Sequence, residues 1–423
     1  MDSIKEKYDV VVIGGGPSGM MAAGRAAELG ARVMLLEKNE TLGKKLLITG
    51  KGRCNITQAE FDDREMVKKF GARGKFLFSS LAAFGPEEVI RFFEDRKVET
   101  KIERGGRVFP VSDKAYDVLQ VMKRYLEKNK VEVRYGAEIQ GFELGEASSE
   151  KRIKSVRLKG ENVKGDKFIL CTGGKSYPAT GSTGDGYRWA EDCGHTIANL
   201  APALVPIKIK EAWIKEAQGL SLKNIEIKLF QNGKKQDSRF GEMLFTHFGL
   251  SGPIVLDISK KIGELMEKDE VQISLDLKPA LSHEQLDERI KRDFKENINK
   301  DFINYLPELL PQKMVTAILH LSGIPERNKI NFVTKEQRKF LVNLLKDLRL
   351  TVEGTTGYNQ AIVTSGGVNL REVDSKTMRS RLVGNLFFAG EILDLDGPTG
   401  GYNLQVCWST GYAAGTYAAE EIL

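Results

Sequence analysis

The sequence predicts an α/β protein whose mostly parallel sheet is assembled from both ends of the chain, with a β-rich stretch and a small helical stretch inserted between them. Three observations carry this. The chain opens as strand, glycine turn, small-residue helix and strand. The same glycine-rich texture returns after Thr356, and from about residue 196 to 355 it gives way to short strands and then amphipathic helices. A chain of 423 residues is long for one core. The expected domains are 1–195 with 356–423, then 196–280 (β-rich) and 281–355 (helical).

The opening unit carries the chemistry. YDVVVI (Tyr8 to Ile13) is a short β-branched run, suited to a strand buried on both faces. GGGPSG follows, with Gly14, Gly16 and Gly19 at G-x-G-x-x-G spacing, then MMAAGRAAELG and a second strand ending at Glu37. Gly14 permits the turn, Gly16 lets backbone approach a pyrophosphate, and Gly19, Ala23 and Ala27 let the helix lie close on the sheet. The helix N-terminus offers unpaired N–H groups to phosphate. Glu37, eighteen residues past Gly19, is placed to accept hydrogen bonds from a ribose diol. Three spaced glycines alone are weak evidence; strand, helix and acid in this order make a Rossmann-like dinucleotide site.

Thr41 to Thr57 (TLGKKLLITGKGRCNIT) lacks periodicity and reads as a loop at the ligand edge of the sheet, with Lys44, Lys45 and Arg53 to neutralise phosphates and Asn55 to donate and accept. Residues 86–95 read as a helix with Pro86 in its first turn, GGRVFP as a hairpin arm, and Ala115–Asn129 as an amphipathic helix. VEVRYGAEIQGFEL and KSVRLKG read as strands. KFILCTGG is a buried strand breaking at Thr172-Gly173, where small residues admit a cofactor. The later GSTGDG follows no strand directly, so no second nucleotide fingerprint is expected and a nicotinamide donor would bind transiently.

The inserted region contains Asn232-Gly233, a strong hairpin signal, and Ser282 three residues before Gln285 as a capping box. LFFAGE then repeats strand and acid, and YNLQVCWSTGYAAGTYAAEEI reads as a small-residue helix that closes the opening sheet. A net charge of +6 with interspersed signs does not indicate a nucleic-acid platform. Cys54, Cys171, Cys193 and Cys407 form neither a C-x-x-C pair nor zinc spacing, and His195, His283 and His320 form no ligand array, so no metal is expected. No run approaches about 20 apolar residues, and a cytoplasmic protein with no membrane partner is expected.

GGGPSGMMAAGRAAELG with Glu37, TGKGRCNIT, GRVFP, TGGKSYPATGSTGDGY, LFTHFGLSGP and LFFAGEILDLDGPTGGYNLQ together resemble the aminoacetone-oxidase-like or BaiN-like NAD(P)/FAD-dependent oxidoreductases, over nearly the whole chain. The resemblance implies a glutathione-reductase-type FAD domain with inserted domains and one noncovalent FAD. It places Gly14, Gly16 and Gly19 at the pyrophosphate, Glu37 at the adenosine ribose with Lys38 and Lys45 nearby, and Ile139 at the adenine. Arg53, Cys54 and Asn55 fall on the ribityl–flavin side, Thr172 and Gly173 pass close by, and Gly390, Glu391, Gly401, Asn403, Leu404 and Gln405 complete the site. Independently of the family, PTGGYNLQ before a helix offers N–H groups to the negative charge of a reduced flavin.

The expected function is two-electron transfer through FAD on a small organic substrate, with NADH or NADPH as transient donor or oxygen as acceptor. His247 and Tyr177 are the loop candidates for proton exchange, with a structural hydrogen bond as the competing role. Two other classes remain open: a flavin enzyme that modifies RNA, docking through RDFKENINK and RLVGN, and a flavin-holding regulator without turnover.

Overall fold

The computed structural model describes residues 7–147 and 150–420. The chain divides into two units, each with its own hydrophobic core: one from the chain up to Pro202 and again from Ala361, the other Ala203–Gln360.

In the first unit a seven-stranded sheet runs in the order Glu132–Arg134, Val33–Leu36, Tyr8–Ile13, Glu161–Leu170, Glu150–Leu158, Ile139–Ala147, and Leu386–Phe388 also pairs with Glu161–Leu170. Val10 pairs with Val33, Val12 with Ile169 and Phe387 with Ile169, all in parallel. Val10, Val11 and Val12 are fully buried, as a strand covered on both faces requires. The carboxyl ends of the parallel strands therefore gather at Ile13, Leu36, Leu170 and Phe388.

The fingerprint helix, Pro17–Glu28, packs against the closing helix, Tyr402–Glu420. A Cβ at Gly411 would lie 2.5 Å from the Ser18 carbonyl, and one at Gly415 2.4 Å from that of Ala22, so the two backbones touch through glycines one turn apart. The α/β class and the return of the C-terminal segment to the opening sheet are as expected; Glu421 and Ile422, expected in the same helix, lie outside the described residues.

The stretch expected as a loop after Thr41 is partly helical: Lys44–Ile48 is a short helix, followed by a 3₁₀ turn at Thr49–Gly52. Gly43, at φ +66°, turns the chain into it and Leu46 buries its only fully covered side chain. A single apolar anchor leaves no period to detect.

The second unit is a closed barrel in the order Ile207–Ile209, Gly249–Ser251, Lys234–Phe245, Ser221–Gln231, Gln272–Asp276, Leu348–Thr355. Asn232 and Gly233, at φ +51° and +72°, close its longest hairpin. Pro253–Met266, His283–Glu296, Phe302–Leu309, Gln312–Ser322 and Lys335–Lys346 are helices. The Ser282–Gln285 capping box forms in both directions, at 3.2 and 2.9 Å. Strands and helices share one core, Ile227, Phe245 and Ile273 clustering with Leu286, Ile318 and Leu341. The strand-rich and helical parts are thus one unit rather than two divided at residue 280, because short amphipathic helices have no other apolar surface to cover. Among the described residues no helix is long and apolar enough to cross a membrane.

Candidate functional site

A cavity of about 570 Å³ opens in the first unit where the parallel strands end. Its floor is the glycine turn. Gly14 sits at φ +103°, donates its N–H to the Leu36 carbonyl at 2.8 Å, and has no room for a side chain, since a Cβ would lie 2.6 Å from the Cys171 carbonyl. Gly16 is the opposite case: nothing lies within 4 Å of its Cβ position, and the residue lines the cavity. The helix that follows has no side-chain cap and no acid in its first turn, which leaves its free N–H groups and partial positive charge for an anion. Gly19 lies off the cavity and serves packing, because a Cβ there would meet the Gly14 carbonyl at 1.8 Å.

Glu37 is buried at the other end. One carboxylate oxygen accepts from the Gly15 N–H at 2.7 Å, the other from the Asn39 backbone and side-chain amides at 2.8 and 2.7 Å. Three hydrogen bonds leave a carboxylate acceptor capacity for a ribose hydroxyl. Lys38 reaches across to Thr183 at 2.5 Å and Asp185 at 2.9 Å, and Asn39 donates to the Thr180 carbonyl at 3.2 Å, so the loop after Gly174 is strapped to the end of the second strand. Asp185 stays below the ordinary carboxylate range: burial opposes this, but the Thr183 hydroxyl and the Lys38 ammonium outweigh it. Ile139 and Trp189 line the same end, and the Trp189 indole N–H is buried without an acceptor.

Opposite, Lys45 pairs with Glu391 at 2.8 Å, both largely buried and lining the cavity. Glu391 also accepts from the Thr364 N–H at 2.9 Å, and the Thr364 hydroxyl oxygen lies 2.8 and 3.2 Å from the Lys175 and Ser176 N–H groups. Thr172 and Gly173 form the wall, with the Thr172 hydroxyl buried and unpartnered.

The cavity therefore joins Gly14, Gly16, Glu37, Lys38, Lys45, Ile139, Thr172, Gly173 and Glu391. The remaining expected residues lie off its lining. Gly390 packs against the closing helix, its N–H bonded to Thr410 at 2.9 Å. Arg53 is held by Glu103 at 2.8 Å and Asp113 at 3.2 Å and lies 4.0 Å over the Phe109 ring. Cys54 is fully buried, its thiol pushed up to about 12 by burial, so it is protonated at neutral pH. Gly401 lets the closing helix begin against Thr57, 2.4 Å from its Cβ position, and Asn403 bonds Gly397 through both halves of its amide at 2.9 Å. Leu404 is partly buried against the core, and Gln405 spends its amide on Thr57, Phe84 and Ser409. Beside these, the Asn55 and Gln58 side-chain oxygens are buried without donors. Tyr177 adopts φ +52° beside the cavity-lining Pro178, its carbonyl accepting from Thr180. His247 belongs to the second unit, in the turn between Phe245 and Gly249, its ring against Phe248.

Asn39, Gln58, Trp189 and Thr364 are additions from the structure. Asn39 lies two residues beyond Glu37 and was within reach of sequence reasoning; Thr364 sits in a wholly buried strand, and nothing in the sequence marks its side chain.

An open cradle at a helix N-terminus, a buried acid with spare capacity, unpartnered amide oxygens and a lysine–carboxylate pair fit FAD. The diphosphate would take the N–H groups, the ribose the acid, and the flavin ring N–H an amide oxygen. Fold and site define the class, a Rossmann-type FAD-dependent oxidoreductase. The chain belongs to the HI0933-like Rossmann-domain family, whose model matches residues 8–417. It is 34% identical over 417 residues, 97% of this chain and 98% of the relative, to a 3-dehydro-bile acid delta(4,6)-reductase of Clostridium scindens. It is 31% identical over 412 residues, 96% and 97% of the two chains, to a ribosomal RNA dihydrouridine synthase of Escherichia coli. An open-form flavocytochrome c3 fumarate reductase is similar in fold at TM-score 0.53 and 14% identity, covering 99% of this chain and 79% of the other.

Proposed function

We propose that this flavoenzyme reduces a carbon–carbon double bond conjugated to a carbonyl group. The observation that carries the cofactor half is the cavity joining Gly16, Glu37 and the Lys45–Glu391 pair. The substrate half is supported by the two full-length relatives, since a 3-oxo-Δ4,6 steroid and a uridine ring both present an alkene conjugated to a carbonyl.

Bound FAD supplies two-electron hydride chemistry. The protein's part is to hold and to protonate. Gly14 to Gly16 and the helix N-terminus carry the diphosphate, Glu37 and Asn39 orient the adenosine ribose, and Asn55 or Gln58 accepts from the flavin ring. Lys45, paired with Glu391, balances negative charge beside the cofactor. Saturating a conjugated alkene also requires a proton at the carbon next to the carbonyl, for which Tyr177, beside the cavity-lining Pro178, is the candidate donor. NADH or NADPH is the proposed electron donor, bound transiently.

Anaerobic stopped-flow tests the reading. NADH or NADPH should bleach the oxidised-flavin absorbance, and a 4-en-3-one steroid should restore it with saturated product. Bleaching by neither nucleotide, or an alkene recovered unchanged, overturns it. A Tyr177→Phe variant that keeps flavin reduction but loses product identifies Tyr177 as the proton donor. The second reading, a uridine within RNA as substrate, draws on the dihydrouridine synthase relative. It requires RNA binding that weakens steeply with salt and dihydrouridine formed in the bound RNA.

A further inference from the structure

The barrel unit has a cleft of its own, about 310 Å³, that the cofactor site does not use. Its walls are aliphatic: Leu222, Ile225, Leu277, Leu310 and Met314 are all buried. Its charged lining consists of Lys223 and Lys278, with no carboxylate among the lining residues. The acid nearest in sequence is already taken, since Asp276 pairs with the buried Lys346 at 2.7 Å. Lys346 also donates to the Lys278 and Leu281 carbonyls at 3.0 and 2.6 Å, so the backbone carrying Lys278 is fixed. A half-buried ammonium on a pinned backbone, with no acid beside it and hydrocarbon around it, lacks its counter-ion.

We infer that this cleft binds an organic monocarboxylate with a hydrocarbon body, the carboxylate at Lys278 and Lys223 and the body against Leu222, Ile225, Leu277 and Met314. The electrostatics agree: burial, and then the like charge of Arg289, hold the Lys278 ammonium below the usual lysine range, and an anion is what reverses that. A nucleic acid is the poorer match, because no aromatic residue lines the cleft to stack on a base.

The test is isothermal titration calorimetry of octanoate, far below its micelle concentration, into the full-length FAD-loaded protein. One saturable site is expected, with 1-octanol binding roughly tenfold more weakly because it lacks the charge-assisted contact. Lys278→Gln should weaken octanoate roughly tenfold while leaving octanol unchanged. Lys223→Gln, at an exposed position that cannot disturb the core, should weaken octanoate by a smaller factor. Thermal midpoint and flavin content verify the fold of each variant. Absence of saturable binding, equal affinity for octanol, or indifference to Lys278→Gln overturns the inference. So does single-stranded RNA binding that depends on Lys278 while octanoate fails to bind.

Discussion

Two glycines of one motif separate conformational from ligand-imposed demands. At Gly14 the backbone is left-handed and a methyl would strike the Cys171 carbonyl, so Gly14→Ala should lose both stability and flavin. Gly16 is extended, at φ −78°, with open space around its Cβ position. Gly16→Ala should keep the apoprotein's thermal midpoint within about 2 °C and weaken FAD binding at least tenfold, because the methyl occupies room the diphosphate needs. Apoprotein melting and flavin-fluorescence titration read the two effects apart. The cysteines give a pH prediction at the same scale. Burial raises Cys54 and Cys407 to about 12 and Cys193 to about 11, against an ordinary 9.0. Below pH 9 each thiol is protonated in both folded and unfolded chains and contributes no pH dependence. Above it the unfolded chain releases protons that the folded one retains, so stability falls, by up to about 1.4 kcal/mol per pH unit for each thiol, until the folded pKa is reached. Thermal midpoints from pH 8 to 10.5 should decline, and Cys54→Ala should make the decline shallower. The glycine spacing and Glu37 were legible in the sequence because a left-handed turn and an acid at a strand end are local requirements. Trp189, Gln58 and Thr364 were not, because their polar groups acquire meaning only from chain hundreds of residues away or from the cavity itself.

Among the elements, the loop after Gly174 and the strand Val363–Val368 depend on one hydroxyl. Thr364 receives the Lys175 and Ser176 N–H groups while its own N–H holds Glu391 toward Lys45. Thr364→Val preserves shape and leaves the buried Ser176 N–H and the half-buried Lys175 N–H unmet, at a cost of about 1–3 kcal/mol for the buried donor and less for the other. The expected result is a lower melting midpoint together with faster flavin release. A variant that melts early but holds flavin normally would confine Thr364 to general stability. The paired helices present the same logic in packing: a methyl at Gly415 would sit 2.4 Å from the Ala22 carbonyl, a gap no rotamer can relieve. Runs of small residues following a strand and a glycine turn exposed both helices in the sequence, whereas the five-residue helix Lys44–Ile48 stayed hidden, since one buried leucine, Leu46, defines no face.

At the scale of the molecule, the unit Ala203–Gln360 is one uninterrupted stretch of chain. Its first and last strands lie side by side: Ile207 pairs with Thr355 and Ile209 with Val352. Alternating apolar residues revealed strands in the sequence, but closure depends on this pairing of strands almost 150 residues apart, which no local pattern encodes. The pairing brings the two ends of the unit together and leaves the barrel without an open edge, and its core of Ile227, Phe245, Ile273, Leu286 and Leu341 is its own. Residues 203–360 expressed alone should therefore unfold cooperatively without any flavin. All the residues lining the 570 Å³ cavity belong to the other unit, so FAD has no direct purchase on the barrel's unfolding. Calorimetry of the full chain should then show two transitions. Free FAD at a hundredfold excess over its Kd stabilises the unit that binds it by about 2.7 kcal/mol, raising that midpoint by roughly 5 °C, while the barrel's midpoint, matched to that of the isolated segment, stays where it was. A single transition that moves as a whole with FAD would mean that the two cores unfold as one.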